Sequence, residues 1–187
     1  MKSELNFPEY SLVALLPTKQ SWRIKGYKQK LGSEINKFKG YNTEPHVTVA
    51  EFWNLIELEH YIHRLRTFCR LVCPIDVVFN RFVFGTETFF IGPDDLSKRH
   101  INQIIRDLHF HIDKKGHKPS AHISIARQIQ PHQMKAGFEM FKDIEVDIRF
   151  LFGSLYLRKF RLETKQYSEI IEVFPFSGKP LPTLFEI

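Results

Sequence analysis

Two stretches of this chain carry the same pattern. Pro45-His46-Val47-Thr48-Val49-Ala50-Glu51 and Pro119-Ser120-Ala121-His122-Ile123-Ser124-Ile125-Ala126-Arg127 both read histidine, β-branched residue, hydroxyl, β-branched residue, alanine, charge. Such β-branched alternation favours strands, in which successive side chains point to opposite faces. His46 and Thr48 therefore share a face, as do His122 and Ser124. Strict alternation sends Arg127 to the face opposite His122 and Glu51 to the equivalent place in the first half, so an ion pair or plain exposure is at least as much to be expected as a contact of Arg127 with phosphate.

The echo runs wider. Lys39-Gly40 and Lys115-Gly116 each set a glycine six residues before a histidine, and at the same offset of 76 residues Pro17 matches Pro93. A repeat of that period points to duplication of a half-domain, since solenoid units are shorter. One internally duplicated, bilobal domain is expected, with a first half of about residues 1–84 and a second of about 85–187. Halves related by a pseudo-twofold axis would turn their histidines toward one cleft.

At 187 residues the chain can bury a sizeable core. Its 18 Phe suit sheet packing and argue against disorder. A formal charge of +6 attracts phosphate-bearing partners without naming one. Cys69 and Cys73 have the spacing of neither a zinc knuckle nor a redox pair and read as reduced thiols. The residues from Met1 to Asn6 lack a signal-peptide run, and no segment approaches the ~18 apolar residues of a membrane span. A soluble, cytoplasmic monomer without membrane contact is expected.

Along the chain, Tyr10 to Leu16 reads as a buried strand closed by Pro17. Ile24, Tyr27, Leu31 and Ile35 give a helix over residues 19–38, weakened by Gly26 and Gly32. Asn54 and Glu57 resemble a capping box before the helical face Leu55, Leu58, Ile62, Leu65 and Phe68, which Pro74 stops. Ile75, Val77 and Phe79 alternate as a strand, and Asn80-Arg81 shifts the phase to Phe82 and Phe84 as a bulge would. Gly85-Thr86-Glu87 turns into a strand from Thr88 to Ile91. Asp94 or Asp95 caps a helix buried along Ile101, Ile104, Ile105 and Leu108. Pro131 opens a helix with Met134, Phe138 and Phe141 inside, and Ile144 to Phe150 alternates as a strand. Leu155 to Phe160 and Glu169 to Phe174 close the chain as two strands. The order is strand, helix, strand, helix, strand in each half.

Two histidines facing one phosphodiester make a complete acid-base pair, because near neutral pH one imidazole can be neutral and the other protonated. Thr48 and Ser124 are placed to donate hydrogen bonds to the non-bridging oxygens. Lys39, Lys115 and Lys118 precede the histidine strands, where they either meet an RNA backbone or are simply solvated. Tyr41, Trp53 and Tyr156 are candidates to stack on a base, although aromatic residues near sheets usually belong to the core. His100, His109, His111, His117 and His122 match no common zinc spacing, so no metal site is expected.

With the paired His-x-Thr/Ser motifs, one in each half, the chain closely resembles the two-histidine (2H) phosphoesterase superfamily, and its 2'-5' RNA ligase-like branch in particular. His-Ile-Ser-Ile-Ala-Arg is similar to that family's second motif, with Ser124 in place of the usual threonine. The resemblance implies an α+β fold, with two antiparallel sheets lining a central cleft and helices outside. It implies His46 and His122 as catalytic residues and Thr48 and Ser124 as phosphate-binding residues, working without metal or nucleotide cofactor. By analogy His122 is the base and His46 the acid, and symmetry allows the reverse. Implied substrates are RNA termini or small nucleotides carrying a 2',3'-cyclic phosphate. The other readings kept open are a non-catalytic RNA- or nucleotide-binding module on the same fold, and a 2'-5' RNA ligase.

Overall fold

The two apolar patterns of the chain, period two and period 3.6, fold as a series of strands and helices, seen in a computed structural model that describes residues 8–53, 58–114 and 120–179. In order these are β1 (Tyr10–Leu15), α1 (Thr18–Ile35), β2 (His46–Phe52), α2 (Leu58–Leu71), β3 (Ile75–Phe84) and β4 (Thr88–Pro93). There follow α3 (Asp95–His111), β5 (Ile123–Arg127), α4 (Pro131–Phe141), β6 (Ile148–Phe152), β7 (Ser154–Arg161) and β8 (Gln166–Pro175). The strand, helix, strand, helix, strand order thus occurs twice, followed by two strands. The Asn54–Glu57 capping box lies outside the described residues, as do Leu55, Lys115, His117 and Lys118.

The local reasons are those of the sequence. Asp94 accepts the Ser97 backbone N–H at 2.7 Å and opens α3. Asn80-Arg81 is a bulge, since the register of β3 on β4 slips between Phe79 and Arg81. The first helix ends at Ile35, earlier than its apolar spacing suggests, because Asn36 turns to a φ of 65°. Tyr27 packs edge-on against Phe82 and Phe141, with ring centroids 5.4 and 5.9 Å away, and Phe141 meets Phe89 at 5.1 Å. The phenylalanines thereby clamp α1 and α4 onto β3 and β4.

The fold is α+β, but the sheet is single. Eight antiparallel strands run in the order β6-β3-β4-β5-β2-β1-β7-β8. The expected pair of separate sheets is corrected to two four-stranded leaves joined through β2 and β5. Their junction is narrow, with Val47 opposite Ile123 as its one registered pair. Each leaf draws on a different part of the chain: β3 to β6 in one, β1, β2, β7 and β8 in the other.

Candidate active site

The loop that delivers His46 is fastened to α1. Lys28 is buried, and its Nζ donates to the carbonyls of Gly40 and Thr43, each at 2.8 Å. Gly40 has a φ of 96°, a conformation that a side chain would strain. Ser21 donates its hydroxyl to the Glu44 carboxylate, and Lys25 Nζ lies 2.6 Å from the second oxygen. Burial alone would raise the Glu44 carboxyl; the bonds from Lys25 and Ser21, with the charges of Lys25 and Lys28, hold it below its ordinary value.

The carbonyl of Glu44 then sets the first imidazole. His46 Nδ1–H donates to it at 2.6 Å, and His122 Nδ1–H donates to the Ser120 carbonyl at 2.8 Å, again two residues back. A carbonyl only accepts, so in each neutral ring the proton sits on Nδ1 and Nε2 keeps its lone pair. The ring of Phe90, 5.1 Å from that of His122, braces the second imidazole. His122 itself precedes the first paired residue of β5, a little short of the strand position that the motif suggests.

The antiparallel register does the rest. With Val47 opposite Ile123, continuing the ladder one step each way sets His46 across from Ser124 and Thr48 across from His122. Opposite Cβ atoms in such a ladder lie about 4.5–5.5 Å apart and diagonal neighbours roughly 7–8 Å. The imidazoles thus occupy one diagonal of a four-residue square and the hydroxyls the other, about a local twofold axis. All four line one cavity of about 220 Å³, together with Lys28, Glu51 and Arg127. A larger groove of about 580 Å³ beside α4, lined by Phe82, Phe138, Lys142 and Asp147, has no imidazole among its described residues.

Glu51 and Arg127 are on the histidine face, not the opposite one. In β2 the pairing with β1 passes from Ala50 to Thr48 and skips Val49; in β5 the pairing with β4 passes from Ala126 to Ser124 and skips Ile125. Each strand carries a bulge at the same place in its motif, so two successive residues face the core and the next charge swings into the cavity. Val49-Ala50 and Ile125-Ala126 are all fully buried. The first bulge frees the Val49 carbonyl, which accepts from His109 Nε2–H at 2.8 Å. His109 is thus a buried brace behind β2, while His100 is exposed and His111 bonds the Arg64 carbonyl. Among the described residues no three His, Cys, Asp or Glu side chains gather as a metal site.

Positive charge converges on His46. Desolvation pushes its pKa down to about 3, and Arg158, Lys28 and Arg127 push the same way against the opposing bond to Glu44. Burial, then the nearby Arg127, brings Lys28 down to about 8. Lys28, Glu44 and Arg158 escaped the sequence reading because each looks like an ordinary surface charge on its element; only the burial of Lys28 and Arg158 sets them apart. Of the aromatic candidates, Tyr41 packs in the loop against Gly32 and Phe38, Trp53 is exposed, and Tyr156 shares the cavity face two strands from Thr48. Lys39 is exposed, and its carbonyl accepts the Arg127 N–H at 3.1 Å, tying the first loop to the second histidine strand.

A one-sheet α+β fold with a His-hydroxyl pair from each half defines the architecture of a two-histidine phosphoesterase. Residues 16–163 match the 2'-5' RNA ligase superfamily, and the chain belongs to that family. Among solved structures it is similar to E. coli LigT in complex with NADP+, at 9% identity and a TM-score of 0.63, over 92% of this chain and 99% of that one. It is similar also to TT0787 of Thermus thermophilus, at 12% identity and a TM-score of 0.57, over 91% and 98%. Usb1 of Kluyveromyces marxianus aligns at 13% identity and a TM-score of 0.50, over 89% and 97%. No curated protein sequence matches. No helix among the described residues is long and apolar enough to cross a membrane.

Proposed function

We propose that the protein is a metal-independent phosphodiesterase that opens 2',3'-cyclic phosphates at RNA ends or on small nucleotides, leaving a 2'-phosphate. The observation that carries this is the square of His46, Thr48, His122 and Ser124 around one cavity. His46 is the base: its depressed pKa keeps Nε2 unprotonated, ready to take a proton from water as the water oxygen bonds to phosphorus. His122 is then the acid, giving a proton from Nε2 to the departing 3'-oxygen as that P–O bond breaks. This reverses the assignment suggested by analogy, because the positive charges gather on the first histidine. Thr48 and Ser124 donate to the non-bridging oxygens, and Arg127 supplies charge beside them. Two imidazoles and two hydroxyls are a full set for this displacement, so the reading calls for no metal or nucleotide cofactor.

The LigT structures with NADP+, 3'-AMP and ATP show nucleotides bound to a protein of this fold, which supports a nucleotide-sized occupant for this cavity. The test is a panel of nucleoside 2',3'-cyclic phosphates, cyclic-ended RNA and 2'-5' dinucleotides incubated in chelator, with products assigned by phosphorus NMR. Conversion of a cyclic end to a 2'-phosphate is expected. Salt-sensitive oligonucleotide binding with no turnover of any ester would replace the enzyme by a binding module. Joining of ends in place of hydrolysis would make it a ligase.

A further inference from the structure

Arg158 lies in β7 and is only 4% exposed. Its Nε and Nη2 are enclosed and make no hydrogen bond among the described residues. Its close neighbour is a ring, with Cζ 5.9 Å from the centroid of Tyr167, whose hydroxyl donates to the Pro8 carbonyl at 2.7 Å. Burying a cation costs several kcal/mol unless an anion or a set of acceptors meets it. A guanidinium kept only for packing would have such acceptors.

Its place in the sheet says which anion is missing. Arg158 pairs with Ser11, and Ser11 with Glu51, so the guanidinium stands on the cavity face, two inter-strand steps of about 4.8 Å from β2. Ser11 between them is small and buried, so no bulky side chain of β1 stands between Glu51 and Arg158. Arg158 is not in the wall of the cavity itself. We propose that Arg158 docks a second phosphate of the substrate, next to the one held between His46 and His122, so that the preferred substrate is the end of a nucleotide chain rather than an isolated cyclic nucleotide. This rests on the phosphodiesterase reading above. For a second phosphate to reach Arg158 the Tyr167 ring, 5.9 Å away, has to turn aside and give up its bond to the Pro8 carbonyl.

The test compares a nucleoside 3',5'-bisphosphate with the corresponding 3'-monophosphate by calorimetry, in the wild type and in Arg158→Met and Arg158→Lys. The wild type should bind the bisphosphate more tightly. Arg158→Met should lose roughly 10- to 100-fold for the bisphosphate, the scale of a charge-assisted bond, and clearly less for the monophosphate, which loses only the longer-range attraction that Arg158 also exerts at His46. Arg158→Lys should fall between, since the planar fork is lost and the charge kept. Arg158→Met should also melt at or above the wild-type temperature, because it removes a buried guanidinium two of whose nitrogens lack a hydrogen bond among the described residues. No bisphosphate preference in the wild type, equal losses for both ligands, or a variant that fails to fold would each overturn the proposal. Because binding is the readout, a wild type that prefers the bisphosphate but opens no cyclic ester would sink the catalytic reading and leave this one standing.

Discussion

His46 couples the candidate site to the stability of the fold. Its folded pKa of about 3 lies far below the ~6.5 of an unfolded histidine, so between those values the unfolded chain binds a proton that the folded one refuses. Stability from this group is complete above about pH 6.5 and drains away as the pH falls toward 3. Urea midpoints at pH 7.5, 5.5 and 4 should therefore drop more steeply in the wild type than in His46→Gln; parallel slopes would show that the ring is not held neutral. The two thiols offer a second check at this scale. Burial pushes Cys69 up to about 12 while Cys73 is exposed, so one equivalent of a thiol reagent should react with the native protein and two in denaturant.

At the scale of the element, the paired bulges matter most. They convert a strand that presents two side chains to the cavity into one that presents three, by facing two successive residues into the core. His109 satisfies the carbonyl that the first bulge releases. His109→Phe fills most of the volume but removes the donor, and should cost about 1–3 kcal/mol in denaturant unfolding, the usual penalty for an orphaned buried carbonyl. A change under about 0.5 kcal/mol would mean that the brace is incidental. The sequence shows the elements well because their apolar periods are clean, and it shows the β3 bulge because Asn80-Arg81 visibly breaks alternation. It hides the bulges of β2 and β5, since Val49-Ala50 and Ile125-Ala126 read equally well as half of an alternating strand. The four members of the square are legible because the repeat prints them twice. Lys28 and Arg158 are not, because burial of a lone basic residue is decided by strands far away in the chain.

For the whole molecule, the continuous sheet makes cooperativity the expectation. Two leaves joined edge to edge through β2 and β5 form one sheet over one core, so far-UV dichroism and tryptophan fluorescence should report one coincident unfolding transition. Two resolved transitions would mean that the leaves fold independently. The same continuity is what sets an imidazole from each half of the chain on one cavity. The most direct measurement of that arrangement is hydrolysis of a nucleoside 2',3'-cyclic phosphate by His46→Ala, His122→Ala and the double variant. If both rings serve one phosphate, each single change should lower turnover by at least ~10²-fold, and the double change should add little to the worse of them. Turnover near the wild-type rate in either single variant would contradict the account.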